Sequence, residues 1–218
     1  MDKSNFIKVV KIIEKNYGGK IRKSDPFEIL VHGILSTRTK DTTTFPAQKR
    51  LLKVAGTPEK ISAMNIKTIE KLIYPVGFYK TKARLIKKAC SILVDRFNSD
   101  VPDNKPDLMS IPGVGPKVAS LVLEWGFNKP FIAVDTHVNR VVQRLGFVKL
   151  HTKPEDTEGI LEKSLSNAVK QKLNSSFVVF GREICRPISP KCYICPVYDY
   201  CEFYMKDKYT KNYNWLEV

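Results

Sequence analysis

No stretch of this 218-residue chain approaches the roughly 20 apolar residues that span a bilayer, so a soluble protein is expected. MDKSNFIKVVKII is too charged to act as a secretory leader, so none is expected. The expectation is an intracellular, reducing compartment (cytoplasm or nucleoid in a prokaryote), where disulfides are rare. Alternating strands joined by a hairpin turn are not found, nor are internal repeats, low-complexity tracts or long linkers. Acidic residues are scarce: 22 Asp+Glu against 37 Lys+Arg leave a net charge of +15. That excess draws polyanions, most often nucleic acid. The basic residues are spread along the chain rather than gathered on one amphipathic helix, which argues against a membrane surface.

What is present is helical. The hydrophobic fraction of 43% suits a globular protein. Apolar residues recur at helical spacing in Phe6, Val9, Val10 and Ile13, and again in Ala83, Ile86, Cys90, Leu93 and Phe97, among which lie Lys82, Arg84, Lys87 and Lys88. Further stripes run through Val118, Leu121, Val122 and Trp125, and through Val134, Val138, Val141 and Leu145. Asp25-Pro26-Phe27-Glu28 reads as a helix start, with an N-cap carboxylate, proline at N1 and glutamate at N3. Residues 154–171 read as helix, as does Ser175–Phe180, and Val101–Pro106 is a short connector. The fold expected is all-α, with about ten helices. Cys90 lies on an apolar stripe and is expected to pack in the core.

Four cysteines stand apart from Cys90. Cys185, Cys192, Cys195 and Cys201 follow the spacing C-x6-C-x2-C-x5-C. Thiolates this close in sequence can converge on one centre, holding an iron–sulfur cluster, a zinc ion or a pair of disulfides. A reducing compartment disfavours disulfides, and zinc sites more often bring two close pairs where here only Cys192 and Cys195 form one.

Upstream, Ile111-Pro112-Gly113-Val114-Gly115-Pro116-Lys117 joins a short helix around Asp107–Ser110 to the stripe beginning at Val118. Two glycines one residue apart allow a tight turn and leave backbone N–H groups uncovered, a phosphate site in a helix–hairpin–helix. Lys117 falls in the first turn of the second helix, where the helix field disfavours a cation. With partial burial, that field would lower its pKa and free an amine for Schiff-base chemistry, the alternative being another phosphate contact. Further along, Asp135 opens the helix of Val138, Val141 and Leu145. It is an N-cap by default and a carboxylate partner for Lys117 by compatible second role. His137, in the same first turn, is read as structural, the alternative being a catalytic role.

The stretches KLIYPVGFYKTKARLIKKA, IPGVGPKVAS and IAVDTHVNRV, with the cysteine loop, resemble the endonuclease III family across nearly the whole chain. The resemblance implies a bifunctional DNA glycosylase and AP lyase acting on oxidised pyrimidines. It implies that Lys117 is the nucleophile, Asp135 its carboxylate, and Cys185, Cys192, Cys195 and Cys201 the ligands of a [4Fe–4S] cluster. It also implies two helical domains with a DNA cleft between them: a six-helix bundle at about residues 22–129, and a discontinuous domain of 1–21 and 130–218 carrying the cluster. The partner would be double-stranded DNA with damaged pyrimidines or abasic sites, met by a monomer without a membrane.

Where the family often has Leu-Ser-x-Gln, with the glutamine filling the gap left by the flipped nucleotide, this chain has Leu35-Ser36-Thr37-Arg38. Arginine can fill such a gap by bonding or stacking on an orphaned purine, so the departure leaves the preferred opposite base open and the chemistry untouched. Phe78 matches the family's apolar wedge, with core packing as the alternative. Gly113 and Gly115 would bind phosphate, with Arg186 and Lys191 presented by the cluster loop. Two rivals remain: a monofunctional mismatch glycosylase of the same superfamily, and a non-catalytic iron–sulfur protein that binds DNA or transfers electrons.

Overall fold

A computed structural model describes residues 1–18 and 24–211. The described residues form α-helices α1 to α12 and contain no strand. Two compact units emerge, one of Met1–Ile21 with Pro130–Val218 and the other of Arg22–Lys129. The first boundary between them, at 21 and 22, lies outside the described residues. No described helix is long and apolar enough to cross a membrane.

The first unit is built on α1 (Lys3–Tyr17), α9 (Thr136–Arg144), α10 (Pro154–Ser164) and α11 (Asn167–Glu183). Asp2 caps α1 by accepting a hydrogen bond from the Asn5 N–H at 2.9 Å. The α1 stripe of Phe6, Val9, Val10 and Ile13 is buried, and α1 packs along α11, which also packs on α9. Phe6 meets Phe177 edge-on with ring centroids 6.0 Å apart, in a core shared with Val138, Val141 and Leu173. Each such side chain contributes on the order of 1.5–3 kcal/mol by leaving water.

The helix expected over 154–171 is two helices. Leu165 leaves α-geometry for an extended backbone (φ −108°, ψ 147°) and is buried, so the chain breaks to seat this side chain before α11 begins. The Ser175–Phe180 run is helical, inside α11. The chain after α11 carries 3-10 turns at Cys192–Ile194 and Tyr198–Tyr200, then α12 (Lys208–Lys211).

The second unit holds α2 (Pro26–Ser36), α3 (Asp41–Val54), α4 (Pro58–Ala63), α5 (Ile66–Ile73), α6 (Tyr79–Phe97), α7 (Lys105–Met109) and α8 (Pro116–Leu121), which runs on as a π turn over Val122–Gly126. Asp25 caps α2 from Oδ1 to the Phe27 N–H at 2.7 Å, with Pro26 at N1. α2 packs on α3, α6 and α8, and α4 and α5 on α6. Cys90 is buried on α6, and burial pushes its thiol up to about 12. It is a core residue.

One close approach sets the position of α8. A Cβ on Gly33 would lie 2.5 Å from Val118 Cγ1, so α2 and α8 touch only because residue 33 has no side chain. Gly33→Ala is expected to destabilise the protein by about 1–3 kcal/mol through overpacking. An unchanged melting transition in chemical denaturation would show that α8 shifts without strain.

Candidate active site

The hairpin is formed by α7, a tight turn and α8. The Val114 N–H donates to the Ile111 carbonyl at 3.1 Å, and Gly113 takes φ +86°, a left-handed backbone that favours glycine. Gly115 differs. Its backbone is extended (φ −93°, ψ 179°), and an added Cβ would meet nothing within 4 Å. Internal packing therefore does not require glycine at 115. A bare backbone facing open space suits the close approach of an external group.

Pro116 is the first residue of α8 and Lys117 the second. The Lys117 side chain is exposed, which corrects the expected partial burial: its ammonium has access to water. Since Val118 is the residue seated against Gly33, the turn bearing Lys117 is fixed to α2 by backbone-close packing.

The same unit carries Arg38 and Phe78. Both are exposed, Phe78 by 65%, so core packing is not its role. Both sit in the left-handed region, at φ 52° and φ 57°. Between their segments runs Lys82, placed by its sequence within a lysine-rich stripe but only 4% exposed. Sequence reasoning missed it, as it missed Gly33.

In the other unit, Asp135 is the N-cap of α9. Its Oδ1 accepts from the N–H groups of His137 at 2.8 Å and Val138 at 2.9 Å. His137 has a structural setting, with Nδ1 3.1 Å from an Arg140 nitrogen and its Cβ against Gly181. Burial, opposed by Asp135, holds its pKa below the usual histidine value.

The four cysteines line one cavity, with Val141, Leu145, Phe180 and Ile184 among its walls. None is in a disulfide. Burial first, then the neighbouring Cys185 and Cys201, pushes the Cys192 thiol up to about 11. Burial likewise raises Cys195, to about 12, and Cys201. Among the described residues no group of three His, Cys, Asp or Glu is arranged to hold a single metal ion. Four free thiols around one apolar-walled cavity fit a sulfur-ligated cluster, which takes them as thiolates and offsets the burial of their charge.

α9 braces this segment. The Arg140 Nε donates to the Cys185 carbonyl at 2.9 Å, and an Arg140 terminal nitrogen to Gly181 O at 2.7 Å. Arg144 donates to the carbonyls of Arg186 (2.7 Å) and Pro187 (3.1 Å), approaches Cys185 Sγ at 3.5 Å, and stacks on Phe203. Arg186 is exposed and Lys191 half-buried on the loop so held. Nothing in the α9 periodicity marks these two arginines as clasps.

Residues 31–167 match the HhH-GPD superfamily of base excision DNA repair proteins. Endonuclease III of Thermotoga maritima is 41% identical over 91% of this chain and 91% of its own length. The mouse endonuclease III-like protein 1 is 40% identical over 81% of this chain, which spans 58% of that longer protein. An endonuclease III trapped as a covalent DNA intermediate, with an estranged adenine, superposes with a TM-score of 0.88 at 32% identity, covering 95% of this chain and 98% of that one. A thermostable thymine-DNA glycosylase shares the fold, with a TM-score of 0.83 at 22% identity, covering 94% of this chain and 97% of that one. By sequence, fold and hairpin together, the chain belongs to the endonuclease III family, DNA glycosylases with AP lyase activity within the HhH-GPD superfamily of base excision DNA repair proteins.

Proposed function

We propose that this enzyme removes oxidised pyrimidines from duplex DNA through a lysine Schiff base on Lys117 and nicks the strand 3′ to the resulting abasic site. The observation that carries the reading is the placement of Lys117: an exposed residue two positions after Gly115, on a turn held by the Gly33–Val118 contact. A relative captured as a covalent DNA intermediate supports covalent chemistry on this fold.

The N–H groups of Gly113 and Gly115 take a phosphate, and the basic surface grips the backbone without reading sequence. The damaged nucleotide leaves the stack, while Arg38 enters the gap and Phe78 wedges the step beside it. The unprotonated Lys117 amine attacks C1′, the C1′–N bond breaks, and the base departs with the bonding pair. The sugar ring opens to an imine at C1′. Loss of a C2′ proton then expels the 3′ phosphate by β-elimination. Asp135 assists the amine and steadies the positive charge that develops on the sugar. Its two capping bonds hold the carboxylate at a fixed rotamer.

Cys185, Cys192, Cys195 and Cys201 would hold a [4Fe–4S] cluster. Bound there, the cluster would fix the Arg186–Lys191 loop, whose two cations then meet phosphate. The protein acts as a monomer on damaged or abasic duplex.

A panel of duplexes, each with one oxidised pyrimidine, oxidised purine, mismatch or abasic site, tests the reading. Base release with nicking is expected at oxidised pyrimidines, and nicking at abasic sites. Base release from mismatches with the strand left intact would favour the monofunctional rival.

The two hairpin glycines separate stability from binding. Gly113→Ala is expected to destabilise the fold by about 1–2 kcal/mol, because alanine resists a left-handed backbone. Gly115→Ala is expected to change stability by less than about 0.5 kcal/mol. It should nonetheless weaken duplex affinity roughly tenfold, because the methyl obstructs the approach of phosphate. Melting curves and binding isotherms on both variants check this. Full affinity in Gly115→Ala would remove the hairpin from the DNA interface.

A further inference from the structure

Lys82 is the fourth residue of α6, and its side chain turns inward. Its ammonium donates to the carbonyl of Leu35 at 2.6 Å, to the carbonyl of Thr37 at 2.6 Å and to Thr39 Oγ1 at 2.9 Å. Three N–H donors meet three acceptors, and the acceptors bracket Arg38 on both sides. Leu35 lies in the last turn of α2, so the cation also faces the negative end of that helix. Burial pushes its pKa down to about 8, a penalty that a leucine or methionine of similar volume would avoid.

The same residue is tied to Phe78. The Lys82 backbone N–H donates to the Phe78 carbonyl at 3.0 Å, closing the first turn of α6. The segments also touch directly: a Cβ on Gly77 would lie 3.1 Å from Thr39 Oγ1 and 3.4 Å from the Arg38 carbonyl. Arg38 and Phe78 are both non-glycine residues at positive φ, a strained state that persists only where the surroundings dictate it. The Lys82 side chain is bonded on both sides of Arg38, and its backbone is bonded to Phe78.

We propose that Lys82 is a positioning residue that locks the Arg38 and Phe78 segments into a single duplex-probing unit, so that gap filling and wedging occur together. The inference rests on the roles proposed above for Arg38 and Phe78. Lys82, being buried, acts through them.

The test compares Lys82→Met, Arg38→Ala and the double variant on two substrates. One is a duplex with an abasic site opposite each of the four bases in turn, with 2-aminopurine beside the site to report unstacking. The other is a single-stranded abasic oligonucleotide, which has no opposite strand to probe. Lys82→Met is expected to lower duplex kcat/KM by about 10–100-fold, through misplacement of the probing side chains. It should flatten the opposite-base preference as Arg38→Ala does and abolish the 2-aminopurine rise. Single-strand cleavage should stay within about twofold of wild type, because that reaction needs only the nucleophile. The double variant should be no worse than the poorer single variant.

Should Lys82→Met fold poorly, Thr39→Val removes one of the three acceptors, together with the long bond of 3.4 Å that the Thr39 hydroxyl donates to the Thr37 carbonyl, and is expected to move the same readouts in the same direction by a smaller factor. A normal 2-aminopurine rise in both Lys82→Met and Thr39→Val, multiplicative losses in the double variant, or a parallel fall in single-strand cleavage would overturn the inference. An inert Arg38→Ala would sink the gap-filling reading and this inference together. An impaired Arg38→Ala beside an unimpaired Lys82→Met would sink this inference alone.

Discussion

Lys117→Gln is expected to fold and to bind damaged duplex within a fewfold of wild type, yet to lose strand nicking and borohydride-trapped adducts together. Folding is spared because Lys117 is exposed, and surface substitutions change stability by about 0.5 kcal/mol or less. Binding is largely spared because one cation is removed from a chain with 37 Lys+Arg. The salt slope should shift by no more than about 0.9, the contribution of a single phosphate contact. The chemical step has no such reserve. Without the amine no imine forms, and the rate should fall on the order of 10⁴-fold or more. Single-turnover kinetics on an abasic duplex measure this. Retained nicking would move the nucleophile elsewhere.

Cys195→Ser carries the second large effect. Cys195 lines the cavity shared by the other three cysteines, and burial pushes its thiol up to about 12. Serine is a poor cluster ligand, so the yellow-brown colour of a [4Fe–4S] protein should be lost. Losses above about 4 kcal/mol are reached by only a few mechanisms, among them loss of a metal site, and an effect of that size is expected here. The Arg186–Lys191 loop would lose the cluster as an anchor, retaining the Arg144 bonds to the Arg186 and Pro187 carbonyls and the bonds of the Arg186 and Lys191 N–H groups to the Ile184 carbonyl. Duplex affinity should fall accordingly, with a shallower salt slope. Iron and sulfide analysis, an absorption spectrum and a denaturation curve suffice. A colourless wild type with one zinc per chain, even after anaerobic preparation, would replace the cluster by zinc.

Much of the fold was legible because its signals are local. The α1 stripe, the Asp25-Pro26 start of α2, the Gly113 turn and the Asp135 cap each depend on a few neighbouring residues, and each forms as its chemistry requires. What stayed hidden depends on partners distant in sequence. Lys82 falls four residues before Ile86, on the apolar face of α6, and Arg84, Lys87 and Lys88 do not, but periodicity does not tell what receives a buried ammonium. The answer lies 47 residues away, in the Leu35 carbonyl at the end of α2. Gly33 looks like a weak point in an apolar helix until Val118 is found against it. Arg140 and Arg144 read as solvent-facing residues of a valine-striped helix, yet they clasp a segment that begins more than forty residues later. The break at Leu165 follows the same logic, since burying one side chain outweighs the helical propensity around it. Lys117 shows the converse: its position was legible, but its exposure depends on packing around a hairpin that no local pattern records.

The most direct measurement is borohydride trapping on a duplex with a single abasic site, followed by proteolysis and mass mapping of the adduct. The account predicts one DNA-linked peptide with the modification on Lys117, and no adduct from Lys117→Gln. An adduct mapped to another lysine, or strand nicking by the wild type with no adduct at all, would contradict it.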